Sequence, residues 1–243
     1  MVKIDFMKTL FSFTSQPESC SYLPAESSRM RYDIVGEITP SEYAERMKTG
    51  WRRFGHSLFI PDCATCRGCR SLRVNVKRFE PDRSQRRAEK ANRDLKIVVG
   101  TPTVCDERLA LYDKFHAYQT AAIGWPAHAP ENPVSYAESF AMNPFATQEW
   151  CYFWQEKLIA VGYVDALPDG QSAIYFFYDP DFRDRSLGTF NVMNVLRSAK
   201  KKRVPYVYLG YFVEGCRSLS YKANFKPNEL LTHATGEWAT FGE

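Results

Sequence analysis

The sequence predicts an α+β fold, in which a mixed sheet with flanking helices is joined to a smaller, cysteine-containing N-terminal section. After residue 98 the hydrophobic pattern runs in the order hairpin, strand, loop, helix and strand, the order of a sheet with one βαβ crossover. Before that point the pattern is one of short strands and turns. We therefore divide the chain into an N-terminal section, residues 1–98, and a C-terminal domain, residues 99–243.

The composition is that of a globular protein in a reducing compartment. Of 243 residues 44% are hydrophobic, enough to build one large domain or two small ones. Seven cysteines are an odd number, and residues 1–13 are not followed by the small-residue cleavage site of a secretory signal. No run approaches the roughly 18 apolar residues of a membrane helix. We expect a soluble, cytoplasmic protein without a membrane partner.

A helix and a strand are predicted in the N-terminal section. The helix covers residues 40–49, because Thr39 and Glu42 stand three residues apart in a capping-box pattern. The strand lies in "SLRVNVKRF", where apolar and polar side chains alternate. Arg78 continues the apolar face of that strand, so its guanidinium is expected on the inner side. The other residues of the face are Leu72, Val74 and Val76.

A strongly basic helix is predicted next, beginning behind Asp82 or Ser84. Residues 67–96 hold eleven Lys and Arg against four Asp and Glu, whereas the rest of the chain is slightly acidic. Such an excess is typical either of a solvated helix face or of a surface that contacts a polyanion, most naturally nucleic acid. The candidate phosphate contacts are Arg83, Arg86 and Arg87.

The C-terminal domain is predicted to open with an amphipathic helix, "DERLALYDKFHAYQ", with Leu109, Tyr112 and His116 on one side. After the proline-rich loop "WPAHAPENP" comes a hairpin that turns at residues 155–157. A further strand, "SAIYFFYDP", stops at Pro180, and the helix "SLGTFNVMNVLRSAKKK" leads to the strand "YVYLGYF". The crossover brings the loop between strand and helix to the edge of the sheet.

That loop, "DPDFRDRSLGTF", is the candidate site for an anion. Its last residues lie at the start of a helix, where free N–H groups and the helix dipole favour negative charge. Many acyltransferases with such a crossover hold a pyrophosphate on a similar Arg/Gln-x-x-Gly-x-Gly/Ala run, but Phe190 stands where the small residue belongs. Anion binding and simple capping geometry are both left open for Arg185, Ser186, Gly188 and Thr189.

Eight segments stand out along the chain: "CSYLP", "RYDIVGEI", "GWRRFG", "CATCRGCRSLRV", "RSQRR", "YFFYDPDFRDRSLGTF", "YLGYF" and "YKANFKP". Together they resemble the arginyl-tRNA–protein transferase family, and their order and the chain length are most similar to its bacterial branch, the aspartate/glutamate leucyltransferases. The resemblance implies transfer of leucine from leucyl-tRNA to the N-terminal α-amine of proteins that begin with Asp or Glu, which marks them for N-degron degradation. It also implies an acetyltransferase-like (GNAT-like) fold for the C-terminal domain.

Under this hypothesis the chemistry is aminolysis of an ester, which needs positioning and a proton acceptor but no nucleophilic side chain. Asp179 and Asp181 are the candidate acceptors for the proton of the amine, and Tyr211 is the candidate donor to the oxyanion or the leaving oxygen. The alternative is an Asp-Pro turn and a packed tyrosine. Arg78 is the candidate receptor for the acidic side chain of the substrate, although an arginine near a strand end also snorkels to solvent.

"PDCATCRGC" places three cysteines at two-residue spacings, and Cys20 of "CSYLP" supplies a fourth thiol. Four thiolates would suit zinc or a four-iron cluster, and reduced structural thiols are the alternative. The eukaryotic branch of the family has a second cysteine where Leu23 stands here, so its ligand set does not transfer directly. The candidate ligands are Cys20, Cys63, Cys66 and Cys69. The chemistry itself requires no cofactor.

Three other functions stay open at this point. Arginyl rather than leucyl transfer cannot be distinguished by individual residues. A coenzyme A-dependent N-acetyltransferase fits the C-terminal pattern, but Phe190 and the basic N-terminal section argue against it. A non-catalytic, metal-containing RNA-binding module fits the basic helix and the cysteines. The remaining cysteines are expected to be packing residues, and the four histidines are isolated in the sequence.

Overall fold

The structure, a computed structural model, describes residues 7–242, so the first six residues of the segment considered as a secretory signal lie outside the described residues. The strands are β1 (Lys8–Thr14), β2 (Glu18–Ser19), β3 (Ser27–Ser28), β4 (Met30–Glu37), β5 (Arg52–Phe54), β6 (Ser57–Pro61), β7 (Arg70–Asn75), β8 (Leu95–Gly100), β9 (Thr147–Trp154), β10 (Lys157–Leu167), β11 (Gly170–Tyr178), β12 (Tyr206–Phe212), β13 (Asn228–Leu231) and β14 (Trp238–Gly242). The α-helices are α1 (Pro40–Lys48), α2 (Arg83–Ala91), α3 (Asp106–Ile123), α4 (Pro133–Tyr136), α5 (Leu187–Lys202) and α6 (Arg217–Ser220). A π-helical turn, Ala137–Ala141, continues α4, and 3₁₀ turns cover Pro180–Arg185 and Tyr221–Asn224.

An eight-stranded mixed sheet dominates the fold, in the order β14-β13-β7-β12-β11-β10-β9-β8. Strands β11 and β12 are parallel, and the other neighbouring pairs are antiparallel. Helix α5 packs on one face of this sheet. Helix α1 with the small sheet β1-β4-β6-β5, and helices α3 and α4, cover the other face. The predicted α+β class with a mixed sheet and flanking helices is confirmed.

Local sequence signals define the ends of the two N-terminal helices. The Thr39 hydroxyl accepts the N–H of Glu42, whose carboxylate accepts the N–H of Thr39, so the predicted capping box is present in α1. Asp82 and Gln85 form the same reciprocal pair at the start of α2. The basic helix therefore begins behind Asp82, one of the two positions expected.

The predicted crossover is present, and it opens a gap in the sheet. Strands β11 and β12 pair in parallel over three residues, Gly170–Ser172 with Tyr206–Tyr208. A bulge follows at Gly210, which has φ of 79°, a conformation that favours glycine. Beyond it β11 pairs only with β10, and β12 pairs with β7. We call the region between residues 173–178 and 209–212 the strand divergence.

Of two expectations about inward faces, the one for Arg78 was wrong. Strand β7 ends at Asn75, whose side-chain oxygen accepts the N–H of Arg78, and the chain turns there. Phe79 takes the inner position, 7% exposed, while Arg78 is exposed to solvent. In α3 the predicted face does pack inward: Leu109 and Tyr112 lie half-buried against the core and His116 bonds Tyr175, while Leu111 and Phe115 are the most buried residues of the helix.

A buried ion pair ties the small sheet to the large one. The guanidinium of Arg53 in β5 donates from Nε and Nη2 to the two carboxylate oxygens of Asp165 in β10, at 3.0 and 2.5 Å. Its remaining N–H groups donate to Thr147, Asn143 and the carbonyl of Gly55. Both side chains of the pair are fully buried. Because every donor is satisfied, the pair fixes how the two sheets meet.

Strands from both sides of residue 98 build the large sheet. Strand β7 lies between β12 and β13, and β8 forms the edge beside β9. The division into residues 1–98 and 99–243 stays a prediction about folding units. None of the helices within residues 7–242 is long and apolar enough to cross a membrane.

Candidate functional site

Tyr211 lies at the strand divergence but its hydroxyl is already used. The hydroxyl donates to the carbonyl of Gly50 at 3.0 Å, with the carbonyl of Phe59 at 3.4 Å. Burial raises the pKa of Tyr211 above its ordinary value. The side chain thus links β12 to the small sheet, and it presents its ring rather than its hydroxyl to the divergence.

A hydrogen-bonded Tyr–His pair borders the divergence on the β11 side. Nδ1 of His116 faces the carbonyl of Tyr112 at 2.9 Å, so Nδ1 carries the proton and Nε2 is free to accept. The Tyr175 hydroxyl donates to that Nε2 at 2.8 Å. Burial lowers the pKa of His116, with a further contribution from His128, and keeps the imidazole neutral. A neutral imidazole behind a tyrosine hydroxyl can take up a proton that arrives at the hydroxyl.

The second histidine supports the first. His128, from the proline-rich loop, stacks on His116 with ring centroids 4.8 Å apart. Its Nε2 donates to Asp113 Oδ1 at 2.7 Å, and the same carboxylate oxygen accepts the N–H of Glu131. The loop is thereby held against α3, and it fixes the ring that receives the Tyr175 proton.

The structure assigns the two predicted carboxylates to ion pairs. Asp179 is 1% exposed, and its oxygens accept from Lys114 at 2.5 Å and from Lys157 at 2.6 Å. Burial opposes its ionisation, but the two ammonium groups outweigh that effect and hold its pKa below the ordinary value. Asp181 is largely exposed and pairs with Lys114 at 2.7 Å. A carboxylate neutralised twice is a weak proton acceptor.

The loop before α5 is docked on α2. Arg185 makes a two-pronged ion pair with Asp94, at 2.8 and 3.0 Å, and holds the pKa of that carboxyl below its ordinary value. Ser186 has φ of 55° and its side chain does not cap α5. A Cβ built on Gly188 would meet no atom within 4 Å, so the first turn of α5 has open space at Gly188, and Thr189 beside it is half-buried. The free backbone N–H groups at the start of α5 are therefore available to an anion.

The basic face of α2 lies beside this helix start. Arg83, Arg86 and Arg87 are exposed, whereas Gln85 and Ala88 are buried. Helix α2 packs on α5 through the ion pair of Arg197 with Glu89 and through a hydrogen bond from Asn92 to the carbonyl of Arg185 at 2.7 Å. A groove of about 310 Å³ runs between α2, β8 and α5. It is lined by Glu89, Asn92, Arg93, Leu95, Ile97, Phe190, Asn194 and Arg197.

The structure brings together the four cysteines chosen from the sequence. All are free thiols, and Cys20 is buried. Burial, followed by its neighbours Cys20, Cys63, Cys66 and Cys216, raises the pKa of Cys69 to about 12. A cavity of about 160 Å³ adjoins three of them, Cys63, Cys66 and Cys69, and is lined in part by His233.

Thiol sulfur is the donor that zinc and iron–sulfur clusters prefer, so the chemistry of the set fits a metal. Within residues 7–242, however, no three Cys, His, Asp or Glu side chains are arranged around a common centre that could hold one. Leu23 occupies the position of the second cysteine in the eukaryotic branch, and its side chain packs against Gly68. Its Cδ1 is 3.1 Å from the position that a Cβ on Gly68 would occupy.

Two features at the divergence were not predicted. The histidines, isolated in sequence, meet because the proline-rich loop folds back on α3, and only their twelve-residue separation around that loop could have suggested it. Arg52 and Lys222 place two cations beside Tyr211. The sequence signal for Arg52 was the pair of adjacent arginines in "GWRRFG". Side chains alternate between the two faces of a strand, so one of the two arginines must point inward.

Comparison with known proteins finds relatives that match most of the chain. Family profiles described as "Arginine-tRNA-protein transferase, N terminus" and "Arginine-tRNA-protein transferase, C terminus" match residues 18–87 and 107–232. The aspartate/glutamate leucyltransferase of Campylobacter jejuni (strain RM1221) is 38% identical over 90% of this chain and 92% of its own. That of Helicobacter hepaticus is 34% identical over 91% and 92%, and that of Pseudomonas putida (strain GB-1) is 33% identical over 94% and 95%.

Among solved structures, the C-terminal domain of a lysylphosphatidylglycerol synthetase from Agrobacterium fabrum is 15% identical, with a TM-score of 0.47 over 69% of this chain and 60% of that one. L-PGS from Bacillus licheniformis is 13% identical, with a TM-score of 0.39 over 65% and 56%. Both the N-terminal and the C-terminal profile match, and relatives at 33–38% identity align over at least nine-tenths of the chain. The chain belongs to the arginine-tRNA-protein transferase family.

Proposed function

We propose that this protein is an aminoacyltransferase that moves leucine from leucyl-tRNA to the N-terminal α-amine of proteins beginning with Asp or Glu. The observation that carries the proposal is its alignment, over nearly its full length, with relatives named aspartate/glutamate leucyltransferase. The product would carry an N-terminal leucine, which marks it for N-degron degradation in the cytoplasm. The crossover from β11 through α5 to β12 is consistent with an acetyltransferase-like fold, which forms part of the proposal.

The donor would lie along α2 and the start of α5. Exposed Arg83, Arg86 and Arg87 suit the phosphates of the acceptor stem, which they would position without reading its sequence. The open first turn of α5, at Gly188 and Thr189, suits a phosphate near the 3′ end. Arg185 is already paired with Asp94, so its contribution would be to hold this turn against α2.

The acceptor amine would attack at the strand divergence. Its nitrogen bonds to the ester carbonyl carbon, and the bond from that carbon to the ribose 3′ oxygen breaks. An α-amine has an ordinary pKa of about 7.7–8.0, so a substantial fraction is neutral at pH 7.4 and the remaining task is to remove one proton during attack. The Tyr175 hydroxyl would accept that proton while passing its own to Nε2 of His116, and the leaving oxygen would finally take it up.

Asp179 and Tyr211 would act at this site by holding neighbouring elements in place, not by contacting the reacting atoms. Asp179 holds α3 and β10 together through Lys114 and Lys157, which fixes the element that carries His116. Tyr211 holds β12 to the small sheet. The Tyr211 hydroxyl is not our candidate donor to the oxyanion, because it would have to break its hydrogen bond to the carbonyl of Gly50 before it could donate to substrate.

The cysteine cluster would hold zinc or an iron–sulfur cluster through Cys20, Cys63, Cys66 and Cys69 once their thiols turn toward a common centre, an arrangement that the described residues do not show. Such a group would supply structural cross-linking of "CSYLP" to "PDCATCRGC", and no step of the reaction passes through it. Burial of Cys69 and its high thiol pKa are consistent with reduced thiols when no metal is bound.

The first test is a transfer assay with purified protein, radiolabelled leucyl-tRNA or arginyl-tRNA, and peptides that begin with Asp, Glu, Asn or Lys. We expect label from leucyl-tRNA in the Asp and Glu peptides only. Transfer from arginyl-tRNA would retain the family and overturn the donor. Folded, metal-replete protein that transfers neither amino acid would contradict the proposal.

A further inference from the structure

Arg52 is a buried cation with unmet hydrogen bonds. The residue is only 6% exposed to solvent. Nη1 donates to the carbonyl of Trp51 at 2.6 Å and lies 3.5 Å from that of Met47. Within residues 7–242, Nε and Nη2 are buried and find no acceptor. A charged donor left in this state is costly, so a partner from outside the chain is the natural explanation.

The free edge of Arg52 has the geometry of a carboxylate receptor. Its neighbour Arg53 uses the same two atoms, Nε and Nη2, to bind both oxygens of Asp165. Planar guanidinium edges match carboxylates in this two-pronged way. Arg52 presents an identical edge, but no carboxylate of the described residues pairs with it.

A second basic side chain, Lys222, contacts the same tyrosine as Arg52. Lys222 donates from Nζ to the carbonyl of Tyr211 at 2.9 Å. Burial, and then the nearby charge of Arg52, lowers the pKa of Lys222 to about 7. The rings of Tyr208 and Tyr211 and the thiol of Cys216 also lie around these two side chains.

These cations lie at the strand divergence. The Arg52 guanidinium is 5.5 Å from the ring centroid of Tyr211. Nζ of Lys222 is 3.5 Å from the position that a Cβ on Gly210 would occupy, at the bulge where β12 leaves β11. Phe54, two residues after Arg52 in β5, packs its ring against that of Tyr175 with centroids 6.0 Å apart, so the strand that carries Arg52 and the Tyr–His pair border one region.

We propose that Arg52, assisted by Lys222, receives the side-chain carboxylate of the acceptor's N-terminal Asp or Glu and thereby sets the specificity for acidic residues. The inference rests on the proposed leucyl transfer and replaces Arg78, which is exposed. A carboxylate satisfies Nε and Nη2 together, whereas the neutral amide of Asn or Gln leaves the buried charge uncompensated. Binding through this edge would hold the α-amine near Tyr175.

Arg52→Met removes the receptor and keeps much of its volume. We expect kcat/KM for Asp and Glu peptides to fall by about 100-fold or more, mainly through KM, while the Kd of leucyl-tRNA stays within about twofold. Arg52→Lys should retain an intermediate activity. Arg31→Met, which removes one charge from the exposed side of β4 in the same small sheet, is the matched control and should behave as wild type.

Stability separates this role from a structural one. Because Arg52→Met removes an uncompensated buried cation, its melting temperature should equal or exceed that of the wild type. A variant that melts lower or fails to fold would make Arg52 a structural residue and overturn the inference. Transfer to acidic peptides within about threefold of wild type would also overturn it, as would equal losses of transfer and tRNA binding.

A binding measurement keeps the inference separate from the proposed function. Calorimetric titration with Asp-Ala and Asn-Ala needs no tRNA. The wild type should bind Asp-Ala more tightly, and Arg52→Met should lose that preference. If the wild type transfers no leucine but keeps the preference, the proposed function fails and the receptor stands; equal binding of the two dipeptides by the wild type would sink the receptor alone.

Discussion

At the scale of single residues, His116 should contribute to the rate only while it is neutral. Its Nδ1 proton is held by the carbonyl of Tyr112, which leaves Nε2 to accept from Tyr175. His116→Ala should therefore lower kcat by about 10²–10⁴-fold with little change in the KM of the acceptor peptide. His56, which bonds a backbone carbonyl in the small sheet, offers a matched substitution that should leave kcat unchanged.

The pH dependence of that loss identifies its cause. Burial puts the pKa of His116 below its ordinary value, so the base is fully available above that pKa and is lost as the pH falls through it. Titration of the acceptor amine affects wild type and variant equally and cancels in their ratio. The ratio of wild-type to variant kcat should thus be largest at neutral and alkaline pH and approach one in acid. A ratio independent of pH would assign His116 a structural role only.

The two arginines of β5 show what single residues reveal before the fold is known. "GWRRFG" indicates that one side chain points inward, but both are buried, and only the fold separates their roles. Arg53 is satisfied by Asp165, 112 residues away in the chain, and Arg52 is not satisfied by any described residue. From sequence alone Arg78 was the candidate receptor, because the alternating pattern of the strand continues to it. The strand instead ends at Asn75, whose side chain accepts the N–H of Arg78, and a single hydrogen bond of this kind cannot be read from the pattern.

At the scale of elements, helix α2 should act as a phosphate-binding surface whose removal weakens tRNA binding without disturbing the fold. The triple change R83Q/R86Q/R87Q removes three exposed charges, while buried Gln85 and Ala88 keep the helix attached. The Kd of leucyl-tRNA should rise, and the slope of log Kd against log salt should decrease by about 0.9 for each phosphate that the variant no longer neutralises.

The far end of α5 supplies the control for this experiment. Lys200, Lys201 and Lys202 are exposed and carry the same charge. They lie at the opposite end of the helix from the open first turn. Changing all three to Gln should alter tRNA binding much less. Equal effects of the two triple variants would mean that net charge, rather than the α2 surface, controls binding.

Elements with local signals were predicted well. The capping box of α1, the hairpin that turns after Trp154 and the crossover helix α5 depend on residues a few positions apart, and all are present. Arg185, Ser186, Gly188 and Thr189 do lie around the start of a helix, as expected. Their use could not be read from the pattern, because the partner of Arg185 is Asp94 on another element.

At the scale of the whole molecule, the candidate site forms where the two sheets meet. Tyr175 and Tyr211 come from the large sheet, and Arg52 comes from the small one. The sheets are fixed by Arg53 with Asp165 and by Tyr211 with Gly50, contacts that span more than 100 residues. Such contacts leave no periodic trace in the sequence, so the elements could be predicted while their convergence could not. The site needs both regions that match the family profiles.

The cysteine cluster should stabilise the same convergence, because Cys20 lies far in sequence from the other three thiols. If the four hold a metal as proposed, protein purified anaerobically should contain one zinc ion or the iron and sulfide of one four-iron cluster per chain. Cys20→Ser should lose most of it and melt about 5–10 °C lower. Cys105→Ser, outside the cluster, should keep its metal. Metal analysis and thermal melting decide: wild-type protein that is metal-free yet fully active, and as stable as Cys20→Ser, would show that the thiols only pack.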